Sequence, residues 1–147
     1  MVRPMIIEDY DNVYQLWLGI SGLGIRSMDD SREGIEKFLK RNPGCSVVAE
    51  EDGKIVGAIL SGHDGRRGCF YHVCVHEAYR NRGIAKSMVR YAVDILKKEG
   101  INKINIIAFK KNRLGNGFWT SLGWTLREDL NYYDMALNEE NVTVFIS

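Results

Sequence analysis

Between Cys69 and Phe109 the sequence passes from one apolar segment through a long amphipathic stretch into another, with only a short basic turn and a few glycines between them. Ile84, Met88, Tyr91, Ile95 and Leu96 line one face of a helix predicted over Ile84–Lys98, while Lys86, Arg90, Asp94, Lys97 and Lys98 lie mostly off that face. Gly100 predicts its end. Cys69–Val75 reads as the strand before the helix. Ile104–Phe109 reads as the strand after it, and its nearly unbroken apolar character predicts burial on both faces. A helix with one apolar face between two strands has to cross over and pack on the sheet those strands join.

The rest of the chain adds hairpins to this crossover. Residues 2–7 read as a first strand, and Glu8–Ile20 as a helix carrying Val13, Leu16, Trp17 and Ile20 at helical spacing. Asp30 and Ser31 offer caps to a second helix with Ile35, Phe38 and Leu39 as its stripe, and Asn42-Pro43-Gly44 stops it. Ser46–Glu50 and Ile55–Ser61 form strands around Asp52-Gly53, a pair that tolerates the positive φ of a tight hairpin. After Phe109, Asn112 caps a short helix with Leu114, Phe118 and Leu122 on one side, and Gly123 closes it. Trp124–Arg127 and Tyr132–Leu137 are expected as a final strand pair. The pattern predicts an α/β fold: one mixed, mostly antiparallel sheet with helices on both faces. The chain has 147 residues and two prolines, Pro4 and Pro43, and no linker-like tract, so residues 1–147 are expected to form a single domain.

Composition narrows the function classes. Lys and Arg total 20 against 19 acidic residues, so the positive excess that a nucleic-acid binder needs is missing, and no nucleic-acid partner is expected. Cys45, Cys69 and Cys74 make no disulfide framework, and with His63, His72 and His76 they show no zinc-finger spacing; no metal is expected. The N-terminus lacks the pattern of a secretory signal and no apolar run reaches a membrane span, which predicts a cytoplasmic protein with no membrane partner.

The chemistry concentrates at the strand-to-helix junction. Val73-Cys74-Val75 leads through His76-Glu77-Ala78-Tyr79 into Arg80-Asn81-Arg82-Gly83-Ile84-Ala85-Lys86-Ser87. A helix N-terminus carries unpaired N–H groups and the positive end of the dipole. Gly83 admits close approach of a ligand to the backbone, and Arg80, Arg82 and Lys86 add charge, so the junction suits a diphosphate. Neither GxxxxGK[ST] nor GxGxxG is present, and from local chemistry alone a solvated basic turn is an equal reading.

Arg80-Asn81-Arg82-Gly83-Ile84-Ala85 resembles the [Q/R]-x-x-G-x-[G/A] signature of the GCN5-related N-acetyltransferase (GNAT) superfamily. The resemblance extends to Val75…Tyr79-Arg80, the long helix, the following strand and Asn112…Phe118-Trp119…Leu122-Gly123-Trp124, and within the superfamily it is most similar to small bacterial ribosomal-protein N-acetyltransferases. It implies acetyl-CoA as donor. Val73, Cys74 and Val75 would pair with the pantetheine arm, Arg80 to Ser87 would hold the pyrophosphate, and Asn112, Phe118 and Trp119 would flank the pantetheine and its thiol end. The chain departs from the family pattern where acid–base chemistry is concerned. Trp119 stands where many members carry a proton-donating tyrosine, Glu77 replaces a usual proline, and Cys69, Tyr71, His72 and Ile107 occupy strand positions where members often place a glutamate.

Residue chemistry therefore has to nominate the proton handlers. His72 is the candidate base, histidine being the side chain best suited to proton transfer near neutral pH, with strand packing as its plain alternative. Tyr71, Tyr132 and Tyr133 are candidates for the missing phenol, with sheet packing as theirs. No basic neighbour of Cys74 is visible to activate its thiol, which favours direct transfer to a primary amine over an acyl-enzyme. Trp17 and the segment Arg26–Asp29 fall where the family lines its acceptor site, and Gly19, Gly22 and Gly24 suggest a mobile loop there. Arg66 and Arg67 would face either an acidic acceptor or solvent. The competing class is a non-catalytic acyl-CoA-binding module on the same fold. The apolar tail Asn141–Ser147 suggests an added strand or a partner contact, and a homodimer is one expectation.

Overall fold

Asp52 (φ 50°) and Gly53 (φ 76°) both take the left-handed conformation that a two-residue hairpin needs, and so turn β3 (Val47–Glu51) back into β4 (Lys54–His63). In the computed structural model, which describes residues 1–147, this hairpin is the centre of a five-stranded sheet. β1 (Val2–Pro4) pairs antiparallel with β3, and β5 (Gly68–Val75) pairs antiparallel with β4. β6 (Ile104–Ile106) pairs parallel with β5 through Gly68–Phe70, the outcome expected of a helical crossover.

Alternation along the central strands divides the core in two. Val47, Val56, Ile59, Phe70 and Val75 pack under α3 (Ile84–Lys98) and α4 (Arg113–Ser121), with Met88, Leu96 and Trp119. Val48, Ala58, Leu60 and Cys74 face α1 (Tyr10–Leu18) and α2 (Arg32–Arg41), with Val13, Trp17 and Ile35. The predicted caps are in place: the Ser31 side chain accepts from the Gly34 N–H, and the Asn112 side chain from the Gly115 N–H. A mixed, mostly antiparallel sheet with helices on both faces is thus the architecture, as the residue pattern predicts.

Three expectations need correction. Trp124–Arg127 and Tyr132–Leu137 are not strands: residues 125–142 follow an irregular, solvent-exposed course. β6 ends at Ile106 and lies at the sheet edge, so Ile107 and Phe109 are exposed rather than buried on both faces; Leu114, assigned to an inward stripe, is exposed as well. Finally, the glycine-rich segment after α1 is no free loop. Its Gly24–Arg26 forms β2, paired antiparallel with β7 (Thr143–Phe145), and the Gly22 N–H donates to the Ile146 carbonyl at 2.7 Å. The tail expected as an added strand therefore pairs within its own chain.

Candidate functional site

The junction between β5 and α3 gathers unpaired amides and positive charge at one point. A short 3-10 turn, Glu77–Tyr79, leads into Asn81 (φ 63°) and Gly83 (φ 79°), two left-handed residues that aim successive amides to one side. The first intrahelical bond of α3 runs from the Ser87 N–H to the Gly83 carbonyl. The six backbone N–H groups from Asn81 through Lys86 accordingly donate to no backbone carbonyl. No acid occupies the first turn of α3, and a Cβ placed on Gly83 would have no heavy atom within 4 Å. Arg82 stacks over the Tyr79 ring at 5.1 Å, and Arg80 Nε donates to the Val75 carbonyl at 3.1 Å, so both guanidinium groups are held beside this row of donors.

Beside the junction, β5 loses its neighbour. β6 pairs only with Gly68–Phe70, so Tyr71–Val75 face no strand on that edge. The β4 register shifts between Ala58 and Leu60, a bulge that leaves His72 at φ 50°. Such a conformation in a non-glycine residue is strained, and the surrounding structure must hold it. Val73 packs toward the α3 core, and Cys74 is buried toward α1. Burial pushes the Cys74 thiol up to about 12, which makes it a packing residue without thiolate character.

What holds His72 is Asp30, a residue that sequence reasoning assigned only to helix capping. His72 Nε2–H donates to the Asp30 carboxylate, 3.0 and 2.9 Å from its two oxygens, and both side chains are at least nine-tenths buried. Asp30 is fixed in turn by the Arg26 N–H (2.7 Å), and its carbonyl accepts from the Tyr10 hydroxyl (2.7 Å). Trp17, fully buried, meets the imidazole edge to face at 5.0 Å. With its proton on Nε2, neutral His72 has Nδ1 as its basic atom. No local signal in the sequence marks this pair, since its members are 42 positions apart.

The other nominated residues separate. Tyr71 is half-exposed beside Phe38, and the nearby Cys69 thiol, with partial burial and Tyr132, pushes its phenol up to about 12. Tyr133 stands in solvent within the exposed 125–142 segment and makes no hydrogen bond to His72. Trp119 is buried among Phe70, Phe118 and Trp124, 4.5 Å from the last, while Phe118 is only partly buried beside it. Asn112 caps α4 from an exposed position. Arg66 and Arg67 lie in the β4–β5 turn, where their N–H groups bond Asp64, at the opposite end of β5 from the junction. At that far end Cys45, His63 and Glu99 bring their ligand atoms within 4.8 Å of one another. There the Gly65 N–H donates to His63 Nδ1, so neutral His63 carries its proton on Nε2 and gives it to Glu99 at 2.9 Å; in that tautomer Nε2 is a donor and has no lone pair for a cation.

The fold has counterparts among solved structures. The paia N-acetyltransferase of Thermoplasma acidophilum, solved in complex with coenzyme A, superimposes with a TM-score of 0.75 at 15% identity, covering 97% of this chain and 95% of that one. The ribosomal-protein-alanine N-acetyltransferase of Brucella melitensis biovar Abortus 2308 does so at 0.66 and 18% identity, covering 93% and 99%. Residues 8–124 match the model of the acetyltransferase (GNAT) family. The chain belongs to that family. Similarity at the level of whole sequences agrees: an acetyltransferase of Sodalis glossinidius (strain morsitans) is 32% identical over 139 residues, 95% of this chain and 96% of the relative. The chain is an acetyltransferase, and the segment Arg80–Ala85, which resembles that family's signature, overlaps the row of free amides from Asn81 to Lys86. No helix is long and apolar enough to cross a membrane.

Proposed function

We propose that this acetyltransferase moves the acetyl group of acetyl-CoA directly to a primary amine of a small molecule or a protein, and that it works in the reducing cytoplasm that its free cysteines suit. The observation that carries the reading is the run of six backbone N–H groups without a carbonyl acceptor, Asn81 to Lys86, beside an unpartnered strand edge. Six amides at a helix start fit a diphosphate, and the bare Gly83 lets it approach. The edge of β5 from Val73 to Val75 offers hydrogen-bonding groups to the amides of a pantetheine arm. Asn112, the N-cap of α4, and the partly buried Phe118 on that helix would flank the pantetheine arm, with the buried Trp119 packed behind them in the core.

Acetyl-CoA supplies an activated thioester carbonyl. The amine nitrogen forms a bond to that carbon as the carbon–sulfur bond breaks, with the electron pair leaving on sulfur. His72 Nδ1 takes the amine's proton, and Asp30, bonded to Nε2–H, stabilises the imidazolium that results. Coenzyme A leaves as the thiolate and takes its proton from solvent; Tyr71, nominated for that step, has its phenol pushed up to about 12, which makes it too weak an acid to lead the transfer. Cys74 plays no covalent part, because its thiol is buried and un-ionised.

A screen of primary amines with purified protein, reading coenzyme A thiol release, tests this. Release that depends on one class of amine is expected. Tight acetyl-CoA binding without release for any amine would overturn the transfer reading and leave a binding module. In the active protein, His72→Gln should erase or move the acidic limb of the pH–rate profile and lower kcat by about 10²-fold. An unchanged limb with less than a threefold loss would make His72 a packing residue.

A further inference from the structure

A cavity of about 310 Å³ lies beside the His72–Asp30 pair, between α1, β2 and the start of α2. Asp30 belongs to both: it forms part of the cavity wall and it holds His72. Tyr10 and Tyr14, their rings 5.7 Å apart, make an aromatic side of the wall, and Arg26 and Arg32 make a charged one. Asp30, the one acid in the wall, is already occupied, since its oxygens accept from His72 Nε2–H and from the Arg26 backbone N–H. The Ser27 and Ser31 hydroxyls are engaged by backbone groups on both their donor and acceptor sides. Arg32 stands 5.9 Å over the Tyr10 ring and 3.8 Å from Asp11. The Arg26 side chain, by contrast, enters none of the ion pairs or side-chain hydrogen bonds of the protein, so its fork of five N–H donors is free. Its charge reaches the Tyr71 phenol, which Cys69 and burial raise and Arg26 lowers, one residue from His72 on β5. The uncompensated charge beside the base is therefore positive, and it sits on Arg26.

We propose that the acceptor is a small primary amine that also carries an anionic group, a carboxylate or a phosphate, which Arg26 holds in this cavity while the amine meets Nδ1 of His72. The proposal rests on the transfer reading above and adds the class of acceptor. A planar guanidinium matches the paired oxygens of either anion, and the bonds it makes to them are charge-assisted. The volume stands at the lower end of the roughly 300–1,000 Å³ found for small-molecule sites, which suits an occupant the size of an amino acid rather than a polypeptide. Two arginines in the wall also repel a second amino group, so specificity against polyamines is built from the same residues. Because Arg26 would grip a part of the acceptor remote from the reacting nitrogen, its contribution falls on acceptor KM more than on kcat.

Four amines of similar length test this: γ-aminobutyrate, O-phosphoethanolamine, butylamine and the diamine putrescine. With acetyl-CoA and thiol release as the readout, one anionic amine is expected to show a kcat/KM at least about tenfold above butylamine, the scale of a hydrogen bond to a charged group. Whichever anionic amine is preferred identifies the anion. Arg26→Gln should raise the KM for that amine about tenfold and change kcat less than about threefold, and Arg26→Lys should recover part of the loss. Arg26→Glu should reverse the order of the anionic amine and putrescine, a result that poor folding cannot produce. Calorimetry of the two anionic amines on protein loaded with coenzyme A reads the site without turnover. Binding that Arg26→Gln abolishes, with no thiol release from any amine, would support the anion site and overturn the transfer reading. Thiol release that favours butylamine or putrescine in the wild type, or an Arg26→Gln protein with unchanged acceptor KM, would overturn the proposal and leave transfer intact. Neither binding nor turnover of the two anionic amines would overturn it as well.

Discussion

Asp9 is mostly buried, and burial alone would raise its pKa; the Arg3 guanidinium, which grips both its oxygens at 2.8 and 2.9 Å, together with the Ile6 N–H, holds it below the usual carboxylate range instead. A carboxyl lowered in the folded state contributes stability that is fully present above the unfolded value of about 4, and that is lost as pH falls through the folded value. Asp9→Asn should therefore cost about 1.5–3 kcal/mol at pH 7, the range for hydrogen bonds to charged groups. Urea unfolding should show the gap between variant and wild type closing below pH 4. A gap that persists undiminished at pH 2 would mean that shape rather than charge is at work. Gly83 acts at the same scale. At φ 79° a valine is strained whatever space surrounds it, and its side chain would stand where a phosphate meets the amides. Calorimetry of folded Gly83→Val should show coenzyme A affinity reduced at least about tenfold, or 1.4 kcal/mol.

At the scale of elements, the start of α2 controls the site, because Ser31 caps the helix and Asp30 immediately before it holds His72. Gly34 permits this. A Cβ there would run into the carbonyl oxygens of Met28 and Asp29, the backbone that leads into Asp30. Alanine would gain about 1 kcal/mol of helix propensity, but the backbone clash costs about 1–3 kcal/mol, and fixed carbonyl groups yield less than a flexible side chain does. Gly34→Ala should thus lower stability in denaturant unfolding and reduce kcat with little change in acetyl-CoA KM. Equal losses in both parameters would place the disturbance elsewhere. Asp30→Asn tests the same element through chemistry: it should move the acidic limb of the pH–rate profile while the bulge and the fold stay intact.

Across the whole molecule, the thiols record how the two cores are closed. Burial, with Glu99 nearby, pushes Cys45 up to about 11, and burial pushes Cys74 up to about 12, while Cys69 is raised less and is partly open. Thiols raised in this way carry very little thiolate at pH 8, so native protein exposed to an alkylating reagent should react first at Cys69, with Cys45 and Cys74 labelled only on unfolding. Mass spectrometry of the peptides reads this directly, and incubation with acetyl-CoA should leave all three cysteines unacetylated. Rapid native labelling of Cys74 would contradict both its burial and direct transfer.

Local chemistry was enough to specify the parts of this protein that depend on near neighbours. The helix Ile84–Lys98, the caps at Ser31 and Asn112, the Asp52-Gly53 turn and the row of free amides at the start of α3 each follow from residues within a few positions of one another, because helix, cap and turn geometry are set by short-range sterics and hydrogen bonds. Long-range pairing was not readable in that way. Asp30 meets His72 only because α2 and the β5 bulge pack together, and β2 finds β7 across nearly the whole chain. The apolar alternation in 132–137 has the period of a strand, but alternation carries no information about which edge accepts it. Tertiary structure alone decides this: the outer side of β6 stays unpaired, and the pairing of β7 with β2 fixes where the chain after residue 142 rejoins the fold.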